Sequence, residues 1–306
     1  MVKILVTGGK GFIGTNLTAE LKKRGHEVWT LDILHGEDIN HFRIDVSSHW
    51  QLEGVFEKHK FDYVYHLAAE YGRWNGEDHY DNLWTTNTIG TKNILRLQEK
   101  YKFRQIFFSS CEVYGDYDGI MSEDIMEKVP IQQMNDYALS KWVGELQVLN
   151  SAKMFRTETV RVRPLNCYGP HEYYSPYRGV IPIFVYRALT NMPYTVYKGH
   201  KRIFDYVEDT CKTLANIVDN FIPGEVYNLG SKEEWITDIK YISNLVLKYL
   251  GKDDRNVTYK EIEPFTTKIK RVDFSKIRRD LKHNSETTIE EGIKKYIEWM
   301  KKVYNK

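Results

Sequence analysis

Tyr137 and Lys141 are two side chains whose types and spacing could form a catalytic base. They lie four residues apart in a segment with helical periodicity, so they share one face of that helix. A free tyrosine has a pKa of about 10, and a neighbouring ammonium group lowers that pKa because it favours the phenolate. Ser110 could hydrogen-bond to the same substrate hydroxyl and guide its proton to Tyr137. Taken alone, the pair is equally compatible with an ordinary amphipathic helix.

Two further polar segments follow strands of the predicted sheet. Residues 109–115 (SSCEVYG) come directly after one buried strand, and residues 163–170 (RPLNCYGP) follow the next strand along the chain. Because ligands of open parallel sheets bind at the carboxyl ends of the strands, we expect Ser110 and Glu112 to face the same site as Tyr137. For Glu112, the alternative is a loop carboxylate that caps a turn or pairs with a nearby base.

Residues 7–14 (TGGKGFIG) form a glycine-rich loop between a short apolar strand and an amphipathic helix. Such glycines let the backbone turn tightly and approach a pyrophosphate, whose charge the helix N-terminus stabilises. Asp32 ends the second predicted strand, where an acid accepts hydrogen bonds from the ribose of NAD and repels the 2′-phosphate of NADP. The loop therefore predicts a dinucleotide site that prefers NAD. Lys10, inside the loop, either touches a phosphate or faces water.

The elements that must hold these residues alternate between strands and helices, which is typical of a parallel sheet covered on both faces. We expect an α/β fold with a doubly wound parallel sheet of the Rossmann type. Residues 1–165 should form the NAD-binding domain, with residues 203–230 returning to it, and residues 166–306 a smaller α/β substrate-binding region. The expected strands span residues 2–6, 27–31, 42–45, 63–66, 105–109, 157–162, 204–207, 226–229 and 257–261. The expected helices span residues 50–59, 80–101, 135–155, 235–250 and 289–303.

Composition argues against several classes of partner and site. The formal net charge of the 306 residues is +2 and the basic residues are scattered, so neither nucleic acid nor a membrane is expected as a partner. Cys111, Cys167 and Cys211 are far apart and lack CxxC spacing, so we expect no disulfide framework and no metal site. The chain starts directly with a strand and lacks a signal-peptide pattern or a membrane-spanning apolar run. The expected location is the reducing cytoplasm.

The motifs together resemble the extended short-chain dehydrogenase/reductases that act on nucleotide sugars, which include 4-epimerases, 4,6-dehydratases and uronate decarboxylases. The resemblance implies that NAD oxidises the sugar at C4 while Tyr137 takes the hydroxyl proton. It also implies that Asp45 binds the adenine edge and that Asn166, Arg202 and Arg271 hold the nucleotide diphosphate, for which the planar arginine fork is suited. The matching segments are TGGKGFIG (7–14), Asp32, Asp45-Val46, HLAA (66–69), NTIGT (87–91), SSCEVYG (109–115), YALSK (137–141), RPLNCYGP (163–170), RIFDYVED (202–209) and YNLGS (227–231), with a weaker match at KRVDFSK (270–276).

The loop, the helix pair and the resemblance define the expected site. The catalytic residues are Ser110, Glu112, Tyr137 and Lys141. Small residues after the fourth strand suit the close approach of a flat ligand, although helix–sheet packing explains them equally. The expected cofactor-binding residues are Gly8, Gly11, Phe12, Ile13, Gly14, Asp32, Asp45, Val46, Leu67, Ala68, Ala69, Asn87, Tyr137 and Lys141.

Glu112 distinguishes between the reactions of this family. The resemblance implies a small or hydroxyl residue there in 4-epimerases, and a glutamate in 4,6-dehydratases and uronate decarboxylases. Once C4 is a ketone, the C5 proton becomes acidic and a carboxylate can remove it. We therefore expect an NAD-dependent lyase that oxidises the sugar at C4 and then acts at C5. The alternatives are a nucleotide-sugar 4-epimerase, an NAD(P)H-dependent sugar reductase, and a non-catalytic NAD-binding protein, against which the Ser110, Tyr137 and Lys141 set argues.

Cys111 departs from the resemblance. Many dTDP-sugar dehydratases have an aspartic acid at this position, which protonates the leaving C6 hydroxyl. A thiol has a pKa of about 8.5 and is a poor hydrogen-bond donor, so Cys111 weakens the dTDP-type dehydratase interpretation.

The resemblance also implies a homodimer. In such a dimer the helices at residues 80–101 and 135–155 of the two subunits form a four-helix bundle. The alternative is that their extra apolar surface packs beneath the substrate region.

Overall fold

The computed structural model describes residues 1–305. Its strands are β1 (Lys3–Thr7), β2 (Glu27–Asp32), β3 (His41–Arg43), β4 (Tyr63–His66), β5 (Arg104–Phe108), β6 (Ile120–Met121), β7 (Thr159–Pro164), β8 (Asn166–Tyr168), β9 (Tyr194–Tyr197), β10 (Lys201–Arg202), β11 (Phe204–Tyr206), β12 (Val226–Leu229), β13 (Thr237–Asp238), β14 (Val257–Lys260) and β15 (Arg271–Val272). Its α-helices are α1 (Phe12–Lys23), α2 (His49–Lys58), α3 (Arg73–Asp78), α4 (Tyr80–Trp84), α5 (Thr91–Tyr101), α6 (Ile125–Lys128), α7 (Asp136–Phe155), α8 (Val180–Leu189), α9 (Val207–Asn216), α10 (Ile239–Leu250), α11 (Ser275–Leu281) and α12 (Ile289–Tyr304). A π-helical turn spans Thr85–Gly90, and 3-10 turns span Cys111–Tyr114 and Glu233–Trp235. Within residues 1–305, no helix combines the length and the apolar character that crossing a membrane requires.

A seven-stranded parallel sheet lies at the centre of the fold. Its strand order is β12-β7-β5-β4-β1-β2-β3. β1, β4 and β5 are apolar and almost completely buried, as expected for parallel strands covered on both faces. The strand order reverses between β1 and β4, so their carboxyl ends open a crevice of the kind in which ligands bind. This topology confirms the predicted doubly wound Rossmann sheet.

Helices cover both faces of this sheet. On one face, α1 packs beside α9, and Leu17, Leu21 and Leu214 are fully buried there. On the other face, α2 packs on α5, and Leu52 and Leu97 belong to its core. α7 packs against α5 and against the 3-10 turn at Cys111–Tyr114. The two layers therefore fix the positions of the strand ends and of α7.

A second hydrophobic core lies in the C-terminal part of the chain. α8, α10 and α12 pack together beside the β9–β14 pair, and Phe184, Val246 and Ile297 are buried between them. This core supports the segments that follow β7, which face the carboxyl edge of the sheet.

Several elements differ from the sequence-based expectations, among them β11, α10 and the helical segment that starts at residue 80. The strand expected at residues 204–207 forms as β11, but it pairs with β8, whereas β12 joins the central sheet. The helix expected from residue 235 starts at Ile239 because the Asp238 carboxylate accepts the Lys240 N–H at 2.7 Å and caps it. The helix expected over residues 80–101 contains the π-helical turn.

Candidate functional site

The glycine-rich loop joins β1 to α1 at the crevice in the sheet. Gly8 has a φ of +68°, which favours glycine, and a Cβ atom there would lie 2.8 Å from the Ala68 nitrogen. A Cβ atom on Gly14 would overlap the carbonyl oxygen of Gly8. The glycines therefore let the loop pack closely against the start of α1 and against the segment after β4. The N-terminus of α1 lies at this loop, where a pyrophosphate is stabilised by free N–H groups and by the helix dipole.

A cavity of about 420 Å³ extends from this loop along the carboxyl edge of the sheet. Asp32 lies at its edge, and its carboxylate accepts the backbone N–H groups of Lys10 and Leu34, both at 3.0 Å. Asp45 and Val46, which follow the strand paired with Asp32, line the same cavity. The two carboxylates, which can accept hydrogen bonds from ribose hydroxyls, the glycine-rich loop and the α1 N-terminus fit a dinucleotide. The predicted residues that line the cavity are Gly8, Gly11, Phe12, Ile13, Gly14, Asp32, Asp45, Val46, Leu67, Ala68, Ala69, Tyr137 and Lys141.

Lys10 in the loop and Asn87 in the π-helical turn have contacts that differ from the expectations. Lys10 neither lines the cavity nor simply faces water, because its Nζ donates to the Asp38 carboxylate at 3.1 Å. Asn87, expected to bind the cofactor, is buried and hydrogen-bonds to the backbone of Glu70 and to the Ser140 hydroxyl. Asn87 therefore ties the π-helical turn to α7 and to the segment after β4.

Tyr137 and Lys141 occupy successive turns at the start of α7, as predicted from their spacing. The helix begins here because the Asn135 side chain caps it, accepting the Ala138 N–H at 2.8 Å. The Lys141 Nζ donates to the Phe108 carbonyl at 2.9 Å and lies 5.9 Å from the centre of the Tyr137 ring. The ammonium group thus reaches the carboxyl end of β5 beneath the tyrosine.

The protonation of this pair differs from the expectation. Burial raises the pKa of Tyr137, although a hydrogen bond with Ser110 opposes this, and the nearby Glu112 carboxylate raises the pKa further. Burial also lowers the pKa of Lys141 to about 8. The protein residues by themselves therefore favour a neutral phenol, and the predicted lowering of its pKa does not hold for the chain alone.

A second cavity, of about 390 Å³, meets the first at Tyr71, Tyr137, Pro164 and Arg178, which line both. Ser110, Glu112 and Asn166 line this second cavity. The Asn166 side chain donates to the Ile203 carbonyl at 3.1 Å. The structure thus brings Ser110, Glu112 and Tyr137 together where the two cavities meet.

Glu112 is surrounded by cations that the sequence did not reveal. Its carboxylate accepts a hydrogen bond from the buried Lys270 ammonium at 2.6 Å. Burial alone would raise the pKa of Glu112, but Lys270 and Arg73 outweigh it and hold that pKa at about 2. Arg73 is itself fixed by the Glu263 carboxylate at 2.8 Å. Glu112 is therefore ionised across the whole neutral range.

The two arginines expected to hold a diphosphate differ in their surroundings. Arg202 lines the second cavity, but its guanidinium donates to the carbonyls of Lys201, Thr267 and Lys268 and to the Thr266 hydroxyl. It therefore anchors the segment before β15. Arg271 is exposed, whereas its neighbour Lys270 is the residue that points inward to Glu112.

A buried ion cluster supports the turn that carries Ser110 and Glu112. The Glu145 carboxylate on α7 accepts hydrogen bonds from Ser109, Arg161 and Arg163, the last at 2.7 and 2.8 Å. Cys111 is 1 % exposed, and its thiol donates to the Arg163 carbonyl at 3.1 Å. Burial raises the pKa of this thiol, so Cys111 is a packed thiol in the wall of the turn. Among residues 1–305, no group of three or more His, Cys, Asp or Glu side chains is placed to hold a metal ion.

Known proteins share both the sequence pattern and the fold. Residues 4–230 match the model of the NAD-dependent epimerase/dehydratase family. The chain is 30 % identical to UDP-N-acetyl-alpha-D-glucosaminuronate decarboxylase of Bacillus cytotoxicus, over 99 % of each chain. It is 29 % identical to dTDP-glucose 4,6-dehydratase of Neisseria meningitidis, over 98 % of this chain and 93 % of that protein.

A solved protein structure has the same fold as this chain. UDP-glucose 4-epimerase of Thermus thermophilus, in complex with NAD, superposes with a TM-score of 0.86 and 25 % identity over 98 % of this chain and 99 % of that chain. With the glycine-rich loop and the Tyr137–Lys141 pair in place, these matches lead to one conclusion: the chain belongs to the NAD-dependent epimerase/dehydratase family.

Proposed function

We propose that this protein is an NAD-dependent lyase that oxidises the sugar of a nucleotide-diphosphate sugar at C4 and then acts at C5, releasing water or carbon dioxide. The observation that carries the proposal is the placement of an ionised Glu112 beside Ser110 and Tyr137 where the two cavities meet. The named relatives include a uronate decarboxylase and a 4,6-dehydratase. Both reactions pass through a 4-keto sugar whose C5 position is activated.

The first step requires a base at the C4 hydroxyl. When bound, NAD supplies the two-electron oxidation of the C4 alcohol to a ketone, and its reversal. Tyr137 receives the hydroxyl proton, and Ser110, which hydrogen-bonds to Tyr137, orients it. The positive charge of an oxidised nicotinamide favours the Tyr137 phenolate, and Lys141 adds to this below its pKa of about 8. The positive charge that stabilises the Tyr137 phenolate, which the protein residues alone do not supply, therefore comes with the bound cofactor.

The second step takes place at C5. In dehydration, Glu112 removes the C5 proton, a double bond forms between C5 and C6, and the departing C6 hydroxide takes a proton from solvent to become water. In decarboxylation, the C5–C6 bond breaks, its electron pair enters the enolate of the C4 ketone, and C5 is later protonated. Glu112 is in the ionised state that a base needs, but its low pKa makes it a weak base while Lys270 holds it. Substrate must therefore loosen this ion pair for proton removal.

A nucleotide-sugar 4-epimerase is the second candidate. The observation that favours it is the same ion pair, because a carboxylate held by Lys270 is a poor base and C5 would then stay untouched. Epimerisation would need only Tyr137, Ser110 and the cofactor.

Turnover in deuterated water separates the candidates. The enzyme is incubated with UDP-, dTDP-, CDP- and GDP-linked hexoses and hexuronates, and the products are analysed by NMR and mass spectrometry. We expect deuterium at C5 together with loss of water or carbon dioxide. We expect Tyr137→Phe to abolish turnover and, where the reaction is dehydration, Glu112→Gln to abolish the C5 step. Inversion at C4 without deuterium at C5 would establish the epimerase and refute the lyase. Steady consumption of added NADPH without either product would indicate a reductase.

We also propose that the protein is a homodimer built on α5 and α7. The supporting observation is a set of exposed apolar side chains on α7 and on the π-helical turn that precedes α5. Their exposed fractions are 53 % for Ile89, 46 % for Leu146 and 41 % for Leu149. Large exposed apolar patches mark interaction surfaces.

A further inference from the structure

Glu172 is a buried carboxyl group that the proposed reaction does not use. It lies on the loop after β8, lines the second cavity and is 5 % exposed. Its backbone is fixed, since its N–H donates to the Gly169 carbonyl at 3.1 Å and its own carbonyl accepts the Tyr296 hydroxyl. Within residues 1–305, the Glu172 Oε2 atom has no hydrogen-bond partner. A buried polar atom without a partner is costly, so this oxygen is a candidate ligand contact.

Arg178 presents a guanidinium beside this carboxyl. Its guanidinium carbon lies 3.9 Å from the centre of the Tyr71 ring, and its buried Nε atom lacks a hydrogen-bond partner within residues 1–305. Arg178 lines both cavities, so its charge faces the boundary between the cofactor side and the substrate side. Arginine matches the geometry of phosphate oxygens.

The loop that carries both residues lies against the phosphate end of the dinucleotide site. The Asn16 side chain on α1 donates to the Pro170 carbonyl at 2.9 Å. α1 begins at the glycine-rich loop, which is where a pyrophosphate is expected. Residues 170–178 therefore run from the phosphate-facing helix to the wall of the second cavity.

The groups around Glu172 leave it neutral at pH 7. Burial raises the pKa of Glu172 to about 8, and the Arg178 guanidinium opposes this only in part. The other titratable groups that face it, Tyr71, Cys167 and Tyr296, have pKa values raised by their own burial, so none of them carries charge at neutral pH. A protonated carboxyl can donate a strong hydrogen bond to an anionic oxygen, whereas a carboxylate would repel it.

We propose that Glu172 and Arg178 form a diphosphate-binding subsite in which the guanidinium supplies the charge and the protonated carboxyl donates a hydrogen bond to a phosphate oxygen. Two diphosphates can reach this boundary, that of NAD and that of the nucleotide sugar. The second source rests on the proposed function, while the first does not. Loss of the Glu172 proton at alkaline pH then weakens binding of the diphosphate that occupies the subsite.

Binding measured against pH tests the subsite. Dissociation constants of NAD, and separately of UDP, dTDP, CDP and GDP, are measured by titration calorimetry between about pH 6.5 and pH 9.5. For the ligand that occupies the subsite, we expect the native protein to lose up to about tenfold in affinity per pH unit above pH 8, the change that loss of one proton allows. Glu172→Gln keeps the shape of the side chain and a hydrogen-bond donor but has no carboxyl proton to lose. The affinity of this variant should therefore not show the Glu172-dependent fall above pH 8. Arg178→Gln should weaken binding about tenfold or more across the whole range.

The controls separate the titration of Glu172 from the titration of Lys141 and from the effect of any substitution in the same loop. Lys141 also titrates near pH 8 but is present in both proteins, so the difference between native and Glu172→Gln profiles isolates Glu172. Tyr173→Phe, an exposed neighbour on the same loop, should bind like the native protein.

Each outcome bears on the proposal. A Glu172-dependent profile for NAD alone assigns the subsite to the cofactor, and one for a nucleoside diphosphate alone assigns it to the substrate. Identical pH profiles of native and Glu172→Gln protein for every ligand would overturn the subsite. If no nucleoside diphosphate binds, the proposed function fails while the NAD arm still decides the subsite.

Discussion

At the scale of single residues, the charge of Glu112 depends on Lys270, 158 positions along the chain. Lys270→Met removes the ammonium and leaves the burial of Glu112, which raises its pKa, opposed mainly by Arg73. We expect the pKa of Glu112 to rise from about 2 into the measurable acid range. Because a protonated carboxyl cannot act as a base, kcat/KM of the variant should fall about tenfold per pH unit below the new pKa. The native enzyme should show no such fall caused by Glu112 above about pH 4.

A matched substitution shows whether the effect is local. Lys268→Met removes an exposed lysine from the same segment and should leave the acid side of the pH profile unchanged. If Lys270→Met also leaves it unchanged, Glu112 is not the base that the rate depends on. The double variant Glu112→Gln, Lys270→Met should be as inactive in the C5 step as Glu112→Gln alone, at every pH.

Local spacing explains which site residues could be predicted from the sequence. Tyr137 and Lys141 share one helix, so their relative position follows from helical geometry alone. The partner of Glu112 could not be found in this way, because it depends on β15 lying beside β6. Lys270 points inward to Glu112 whereas its neighbour Arg271 is exposed, because adjacent residues of an extended segment point in opposite directions.

At the scale of elements, the ion cluster of Glu145 connects α7 to β7. Glu145 is fully buried, and its carboxylate serves both Arg161 and Arg163. Glu145→Gln leaves two buried guanidinium groups without a counter-charge, so we expect a loss of about 3–5 kcal/mol in the free energy of unfolding. Urea denaturation measures this change. Glu158→Gln, which breaks an exposed pair with Arg104, should cost about 1 kcal/mol or less, and a similar loss in both variants would contradict the argument.

Element boundaries were predictable where a local cap defines them. Asn135 sits immediately before α7, and the start of that helix was expected within one residue. The π-helical turn at Thr85–Gly90 was missed because its support is tertiary: the Asn87 side chain bonds to Glu70 and to Ser140, 17 and 53 positions away. The hydrophobic pattern of a helix carries no information about such contacts.

At the scale of the whole molecule, the alternation of strands and helices predicts the parallel sheet. Neighbouring parallel strands are joined by right-handed crossovers, and the helix in each crossover covers one face of the sheet. The alternation did not indicate that β11 would leave the sheet and pair with β8. That pairing places the segment with Arg202 beside the second cavity. The substrate side of the site is therefore the part that depends most on contacts distant in sequence.

The assembly is the last property to test at this scale. If α5 and α7 of two copies pack together, sedimentation should give twice the 36.2 kDa mass of one chain. Leu146 is half exposed on α7, and Leu146→Glu would bury two charges at a two-fold interface, a cost large enough to dissociate it. Trp50→Glu changes a side chain that is more exposed, on α2, and should leave the mass doubled. A native monomer, or a dimer that survives Leu146→Glu and dissociates with Trp50→Glu, would refute an interface on α7.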